Sequence, residues 1–174
     1  QALYLTNARF DRNILKLALN GLLLPGRFDK CVDKATGVNV ILDVAHNTAA
    51  VAMLGSNLRK ELEVNSYIKQ ISVVIGVMAD KDVNGITSEL IKLADNWYIS
   101  DVDSARSMPA NKVAASIDVD DKTSIVESGS LVDGYNRACS DLSIYQQENP
   151  GHEGLVVVTG SFLCVGAVQA LVTR

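Results

Sequence analysis

Residues 38–48 read VNVILDVAHNT, and this stretch decides the fold. Val38 to Leu42 forms a mostly apolar, β-branched run, which is typical of a strand buried on both faces. The polar residues from Asp43 to Thr48 end the run, and the apolar spacing that follows predicts a helix over 49–62. A strand, a short polar loop and a helix in this order indicate one unit of a parallel α/β sheet.

The same pattern recurs along the chain. Further strands are predicted over 29–33, 71–75, 97–99, 124–126 and 155–159, and further helices over 86–93, 109–116, 131–147 and 165–172. This alternation predicts an α/β fold with a doubly wound, mostly parallel sheet of about six strands and helices on both faces. A helix is also predicted over 3–20. We therefore expect a linker helix in residues 1–24 and one domain in residues 25–174.

Composition excludes several classes of protein. The net charge of −4 offers nothing that attracts nucleic acid as a whole, and no run of 18 apolar residues predicts a membrane span. Cys31, Cys139 and Cys164 are odd in number and widely spaced, which argues against a disulfide framework and a zinc site. We expect buried, reduced thiols, a cytoplasmic location, no metal site, and no nucleic-acid or membrane partner.

The loop after the first buried strand is the first candidate for a binding site. Asp43 directly follows the strand, and His46 and Asn47 stand where the next helix begins. In a parallel sheet ligands bind beyond the carboxyl ends of the strands, and a helix N-terminus attracts anions. The alternative is that Asp43 and Asn47 only cap the helix.

Two more strand ends carry polar residues. Lys81 lies between Asp80 and Asp82 after the second buried strand, where a cation can bind a carboxylate or phosphate, or belong to a solvated charge cluster. Ser161 follows Gly160 at the end of the last buried strand, where it either offers a hydroxyl to a ligand or forms an ordinary turn.

A phosphate-binding loop is absent from the sequence. Gly21 and Gly26 have the required spacing, but Arg27 and Phe28 follow instead of Lys and Ser or Thr. The chain alone is therefore expected not to hydrolyse ATP.

Four segments together resemble the Mur ligase superfamily, and within it the folylpolyglutamate synthases and their bifunctional dihydrofolate synthase relatives. They stand in the family's order at the predicted strand ends. The segments are Pro25-Gly26-Arg27-Phe28, Leu42-Asp43-Val44-Ala45-His46-Asn47, Gly76-Val77-Met78-Ala79-Asp80-Lys81-Asp82 and Gly160-Ser161-Phe162.

The resemblance implies an ATP-dependent ligase with two domains. ATP phosphorylates a carboxylate of a folate or pteroate, and the amine of L-glutamate then attacks the acyl phosphate. An N-terminal P-loop ATPase domain, absent from these 174 residues, would bind most of the ATP and Mg²⁺. This chain would be the smaller, Rossmann-like C-terminal domain and is expected to be inactive alone.

The resemblance also implies a role for each candidate residue. Arg27 and Asp43 would contact the nucleotide, and His46 would face the reacting groups together with Lys81. Asn47, Lys81 and Ser161 would bind glutamate. A bound dianion of this kind needs a fixed cation and several hydrogen-bond donors.

One position departs from the family. Thr48 stands where the family usually has proline, which weakens the distinction between folate ligases and their cell-wall relatives. Two alternatives stay open: a ligase that adds an amino acid to a UDP-muramyl peptidoglycan precursor, and a non-catalytic domain that binds an amino acid or nucleotide.

Overall fold

The computed structural model describes residues 24–118 and 123–174. These residues form a seven-stranded sheet with helices on both faces. The strands are β1 (Asp29–Asp33), β2 (Asn39–Leu42), β3 (Ile68–Ile75), β4 (Asn96–Asp101), β5 (Ser124–Ser130), β6 (Glu153–Thr159) and β7 (Val172–Thr173). The helices are α1 (Thr48–Val64), α2 (Val83–Thr87), α3 (Ala110–Ala114), α4 (Leu131–Glu148) and α5 (Phe162–Val168).

The strand order is β5-β4-β3-β6-β2-β1-β7. The five strands from β5 to β2 are parallel, and β1 pairs antiparallel with both β2 and β7. The predicted doubly wound, mostly parallel α/β fold is therefore confirmed. The carboxyl ends of β2, β6 and β3 lie side by side, because these strands are neighbours that run in the same direction.

Two apolar cores enclose the sheet. Along β6, Val156 and Val158 face one core while Leu155 and Val157 face the other, as the alternation of side chains along a strand requires. Helices α4 and α5 cover the first core, and α1, α2 and α3 cover the second. Burial on both faces explains why the central strands read as continuous apolar runs. The described helices include none that is long and apolar enough to cross a membrane.

Two predicted helices were wrong in extent. The helix predicted over 86–93 is α2 at Val83–Thr87, and the residues after it form tight turns closed by bonds such as Leu90 N–H to Thr87 O. The helix predicted over 165–172 begins earlier, at Phe162, and ends at Val168. A 3₁₀ turn follows it, and Val172–Thr173 then forms β7.

Strand β7 raises the count from about six to seven. It pairs with the outer edge of β1, where backbone groups would otherwise lack a partner. The helix predicted over 3–20 lies outside the described residues, as does most of the predicted linker segment.

Candidate functional site

The carboxyl edge of the sheet gathers the polar loops that follow β2, β3 and β6. The loop after β2 is tied to β6, because Asp43 N–H donates to Val158 O at 3.0 Å and Gly160 N–H donates to Ala45 O at 2.9 Å. The Cys164 thiol donates to Gly76 O at 3.3 Å, which joins α5 to the end of β3. The predicted candidate residues therefore share one edge of the sheet.

Asp43 holds the segment before β1 in place. Its carboxylate accepts one bond from Phe28 N–H at 2.8 Å and one from Ala45 N–H at 2.9 Å. Burial raises the pKa of this carboxyl, although the two backbone bonds oppose the rise. Phe28 has a φ of 47°, an unfavourable value for a side chain of its size, and the bond to Asp43 offsets part of that cost. Asp43 thus fixes the backbone beside Arg27.

Arg27 and Asp43 line a pocket of about 200 Å³ against the first turns of α1. Within the described ranges the Arg27 guanidinium forms no ion pair, and it lies 5.9 Å from the centre of the Phe162 ring. His46 also lies beside this ring, at 6.3 Å between ring centres. Phe162 is 64% exposed, so this group of three side chains faces solvent.

His46 and Asn47 are oriented by backbone contacts. His46 Nδ1 lies 2.8 Å from Val44 O, so in the neutral ring Nδ1 carries the proton and Nε2 is left as the acceptor. Asn47 caps α1, because its Oδ1 accepts Ala50 N–H at 2.9 Å. The capping interpretation is confirmed for Asn47. Asp43 does not cap α1, and its two bonds go to other backbone groups.

Lys81 lies in the loop after β3, where its ammonium pairs with Asp80 at 2.8 Å. This hydrogen bond lowers the pKa of Asp80, and Arg106 adds to the effect. Arg106 reaches the loop because its carbonyl accepts Ala79 N–H at 2.8 Å. Asp82 caps α2 through a bond from Gly85 N–H. The Lys81 and Asp80 side chains are partly exposed, which agrees with the interpretation as a solvated charge cluster, and the binding of a ligand carboxylate or phosphate by Lys81 stays a prediction.

Ser161 caps α5 and is nearly buried. Its hydroxyl oxygen accepts Cys164 N–H at 3.1 Å, and the hydroxyl donates to Cys164 Sγ at 3.1 Å. The structure therefore confirms the turn and helix-capping role of Ser161, and its bond to a ligand stays a prediction.

The structure adds residues that sequence reasoning did not single out. Phe162 contacts both Arg27 and His46, and Cys164 contacts Ser161. The Gly-Ser-Phe segment contained Phe162, but no pattern indicated that its ring would lie near both Arg27 and His46. Of the predicted site residues, Arg27 and Asp43 share one pocket. The others lie outside it: His46, Asn47, Lys81 and Ser161.

A second, larger groove of about 470 Å³ runs between α4 and α5. Its lining is mainly apolar and includes Leu131, Phe162 and Leu163, with Asp101 at the end of β4 and Asp103 in the loop after it. None of the predicted site residues lines it. Among the described residues, no group of three or more His, Cys, Asp or Glu side chains is arranged to bind a metal ion.

Comparison with known proteins identifies related chains. A curated relative, the dihydrofolate synthase/folylpolyglutamate synthase of Buchnera aphidicola subsp. Acyrthosiphon pisum, is 27% identical over 169 residues. The match covers 97% of this chain and 37% of the relative, so the chain spans little more than a third of that protein's length.

Solved structures share the fold. A folylpolyglutamate synthase of Mycobacterium tuberculosis, complexed with ADP, superposes with a TM-score of 0.78 at 22% identity over 96% of this chain and 36% of that one. A bifunctional folylpolyglutamate synthase/dihydrofolate synthase with Mn, AMPPNP and L-glutamate bound gives a TM-score of 0.73 at 23% identity, over 97% of this chain and 36% of that one.

A family model described as the glutamate ligase domain of Mur ligases matches residues 26–162. This range begins at the loop that carries Arg27 and ends at the first turn of α5, so it includes every strand end described above. The chain belongs to the Mur ligase family and carries its glutamate ligase domain.

Proposed function

We propose that this chain is the C-terminal domain of an ATP-dependent ligase that joins L-glutamate to a folate or pteroate through an acyl phosphate. The observation that carries the proposal is the convergence of Arg27, His46, Lys81 and Ser161 on one edge of the sheet, on loops from adjacent strands. An anionic amino acid and a nucleotide both need fixed cations and donors of this kind.

Arg27 and the pocket beside Asp43 suit part of a nucleotide. A pocket of about 200 Å³ is too small for a whole ATP, so this chain would contact one portion of it. Arg27 has no competing ion pair within the described residues and is available to a phosphate. Asp43 contributes by fixing the Arg27 loop, and a remaining lone pair on either oxygen is left for a ribose hydroxyl.

Lys81 and Ser161 suit the carboxylates of glutamate. Lys81 carries a full charge on a flexible stem, and its partner Asp80 is exposed, so a ligand carboxylate replaces that partner at little cost. Ser161 adds a neutral hydroxyl donor. His46 has Nε2 left as an acceptor, and Asn47 has its NH₂ group left as a donor, so we place the reacting acyl phosphate and amine beside these two residues.

The chemistry also requires parts that the described residues do not supply. A loop for the triphosphate and most Mg²⁺ ligands would come from a further domain, as would the folate site. The match to this chain covers only 37% of the relative's length, which leaves room for such a domain. Holding the acyl phosphate and the amine in register between two domains then provides much of the rate.

The test is an assay of the longest open reading frame that contains this chain. The purified product is incubated with Mg·ATP and labelled L-glutamate, and with dihydropteroate, a reduced folate or a UDP-muramyl peptide as acceptor. The proposal predicts ATP-dependent transfer of label to the pteroate or folate. Transfer to the UDP-muramyl acceptor alone would assign the chain to a cell-wall ligase, and binding without transfer would indicate a non-catalytic module.

A further inference from the structure

Cys164 connects two of the loops that form the candidate site. It lies in the first turn of α5 and is fully buried. Its sulfur accepts a hydrogen bond from the Ser161 hydroxyl at 3.1 Å, and its thiol donates to Gly76 O at 3.3 Å. One side chain thus joins the end of β6 to the end of β3.

These strand ends have no room to move independently. A Cβ atom placed on Gly160 would lie 2.4 Å from Gly76 O, so the two backbones already touch. A Cβ on Gly76 would lie 3.4 Å from the Cys164 sulfur, which fills the adjoining space. Because the contacts are continuous, a shift of Ser161 against the sulfur is transmitted to Gly76.

Gly76 begins the loop that carries Lys81, and Ser161 ends the short loop between β6 and α5. Resting on the function proposed above, we infer that Cys164 is a positioning residue for the glutamate site: it sets the spacing between the Ser161 hydroxyl and the Lys81 loop. Cys164 does not touch the amino acid. It acts through the two groups that do.

A thiol suits this position because sulfur is a weak hydrogen-bond acceptor. The Ser161 proton is held in one direction while the site is empty, and a carboxylate, which is a much stronger acceptor, takes it when glutamate binds. Burial raises the pKa of the Cys164 thiol, so the sulfur keeps the proton that it donates to Gly76. The Ser161 hydroxyl is thereby oriented in the empty site and can still turn toward a ligand.

The chain offers a matched control in Cys139. This residue is also a buried, free cysteine in the same apolar core, but it lies on α4. Replacing either cysteine with valine exchanges one small apolar group for another of similar size. Only Cys164 contacts the strand ends that carry the candidate site.

The experiment measures the KM values for L-glutamate and ATP in the intact ligase. Cys164→Val is expected to raise the glutamate KM about three- to tenfold, the factor that corresponds to one or two lost hydrogen bonds, and to leave the ATP KM within about twofold. Cys164→Thr keeps a hydroxyl that accepts and donates, and it should recover most of the loss. Cys139→Val should change neither KM.

Ser161→Ala separates failure of the inference from failure of the proposed function. If Ser161→Ala raises the glutamate KM and Cys164→Val does not, the inference is overturned while the proposed function stands. If Ser161→Ala itself has no effect on the glutamate KM, the glutamate site and the inference both fall. An equal rise of both KM values in Cys164→Val would show a purely structural role and would also overturn the inference.

An infrared measurement on the 174-residue chain keeps the inference testable if Cys164→Val folds poorly. The S–H stretching band of Cys164 is identified as the band that Cys164→Thr removes. In Ser161→Ala this band should shift, because the sulfur loses its donor, while the bands of Cys31 and Cys139 stay in place. An unshifted Cys164 band would contradict the contact on which the inference depends.

Discussion

The two edges of the parallel sheet differ in how their polar side chains are partnered. At the amino edge, polar side chains form hydrogen bonds with neighbouring elements of the sheet. Asn39 donates to Glu153 at 2.6 Å, and Asp95 accepts Ile71 N–H at 2.8 Å. At the carboxyl edge, Arg27 forms no ion pair within the described ranges, and Lys81 pairs only with its exposed neighbour Asp80.

The edges also differ in their backbones. The carboxyl edge contains Phe28 at a φ of 47° and a contact between Gly160 and Gly76 that admits no side chain. Unfavourable conformations of this kind persist where the surrounding structure enforces them, and they concentrate at functional sites. The comparison therefore indicates that the amino edge contributes mainly to stability, and it supports the proposal that the carboxyl edge holds cations and donors in place for a ligand.

The largest expected effect comes from a pair of glycines, one at each edge. Gly160 has a φ of 106°, and an added Cβ would meet Gly76 O at 2.4 Å. Gly151, in the turn before β6, has a φ of 89° but open space around it. We expect Gly160→Ala to lower the free energy of unfolding by about 3 kcal/mol or more, and Gly151→Ala by about 1 kcal/mol.

Urea unfolding followed by circular dichroism measures both values. Equal losses for the two variants would mean that the strand ends at the carboxyl edge can separate, and the comparison of the edges would lose its structural basis.

A smaller effect is expected from aspartates that accept backbone N–H groups. Asp43 accepts two, from Phe28 and Ala45, so an asparagine in its place turns its NH₂ group toward one of these donors. Asp95 accepts one, from Ile71, which an asparagine oxygen can still accept. We expect a loss of about 2 kcal/mol for Asp43→Asn and about 0.5 kcal/mol for Asp95→Asn by thermal unfolding.

The KM for ATP is a second measurement on Asp43→Asn. It should rise, because the position of the Arg27 loop depends on this carboxylate. A variant with unchanged stability and unchanged ATP KM would show that Asp43 does not hold the loop.

The smallest effect concerns Arg174, whose guanidinium makes two bonds to the buried Asp29 at the start of β1. This pairing lowers the pKa of Asp29 from the value near 3.8 expected for the unfolded chain. The stability it provides is fully present above that value and is lost as the pH falls through the lower pKa of the folded state. Arg174→Gln should lower the free energy of unfolding at pH 7.

The pH dependence checks this assignment. The unfolding free energies of the wild type and Arg174→Gln should converge in acid, where Asp29 is protonated in both states. Arg137→Gln, which removes an exposed pair with Asp141 on α4, is the matched control and should change stability by less than about 0.5 kcal/mol. A constant difference between wild type and Arg174→Gln at every pH would assign the effect to packing.

Much of the fold could be predicted from the sequence, because the buried central strands are continuous apolar runs and α1 and α4 have clear helical spacing. Strand β7 could not, since Val172 and Thr173 give too short a signal and their partner is more than 130 residues away. For helix α2 the sequence signal was longer than the element. The apolar spacing continues to Leu93, but tight turns replace the helix after Thr87.

The candidate site was predicted in part. The positions of Asp43, His46, Lys81 and Ser161 at one edge follow from the direction of the strands, which the alternation of elements determines. The bond from Phe28 to Asp43 and the contact between Cys164 and Gly76 join residues 15 and 88 positions apart, so no local pattern indicates them. The ligand of each side chain stays a prediction.

The central claim is that the carboxyl edge binds glutamate through Lys81. Its most direct test is the KM for L-glutamate of Lys81→Ala in the intact ligase, measured beside the KM for ATP. Loss of a charge-assisted bond predicts a rise of about tenfold or more for glutamate and at most about twofold for ATP. Lys92→Ala, which removes an exposed lysine paired with Glu89, should change neither value. Equal rises in both KM values for Lys81→Ala would contradict the claim.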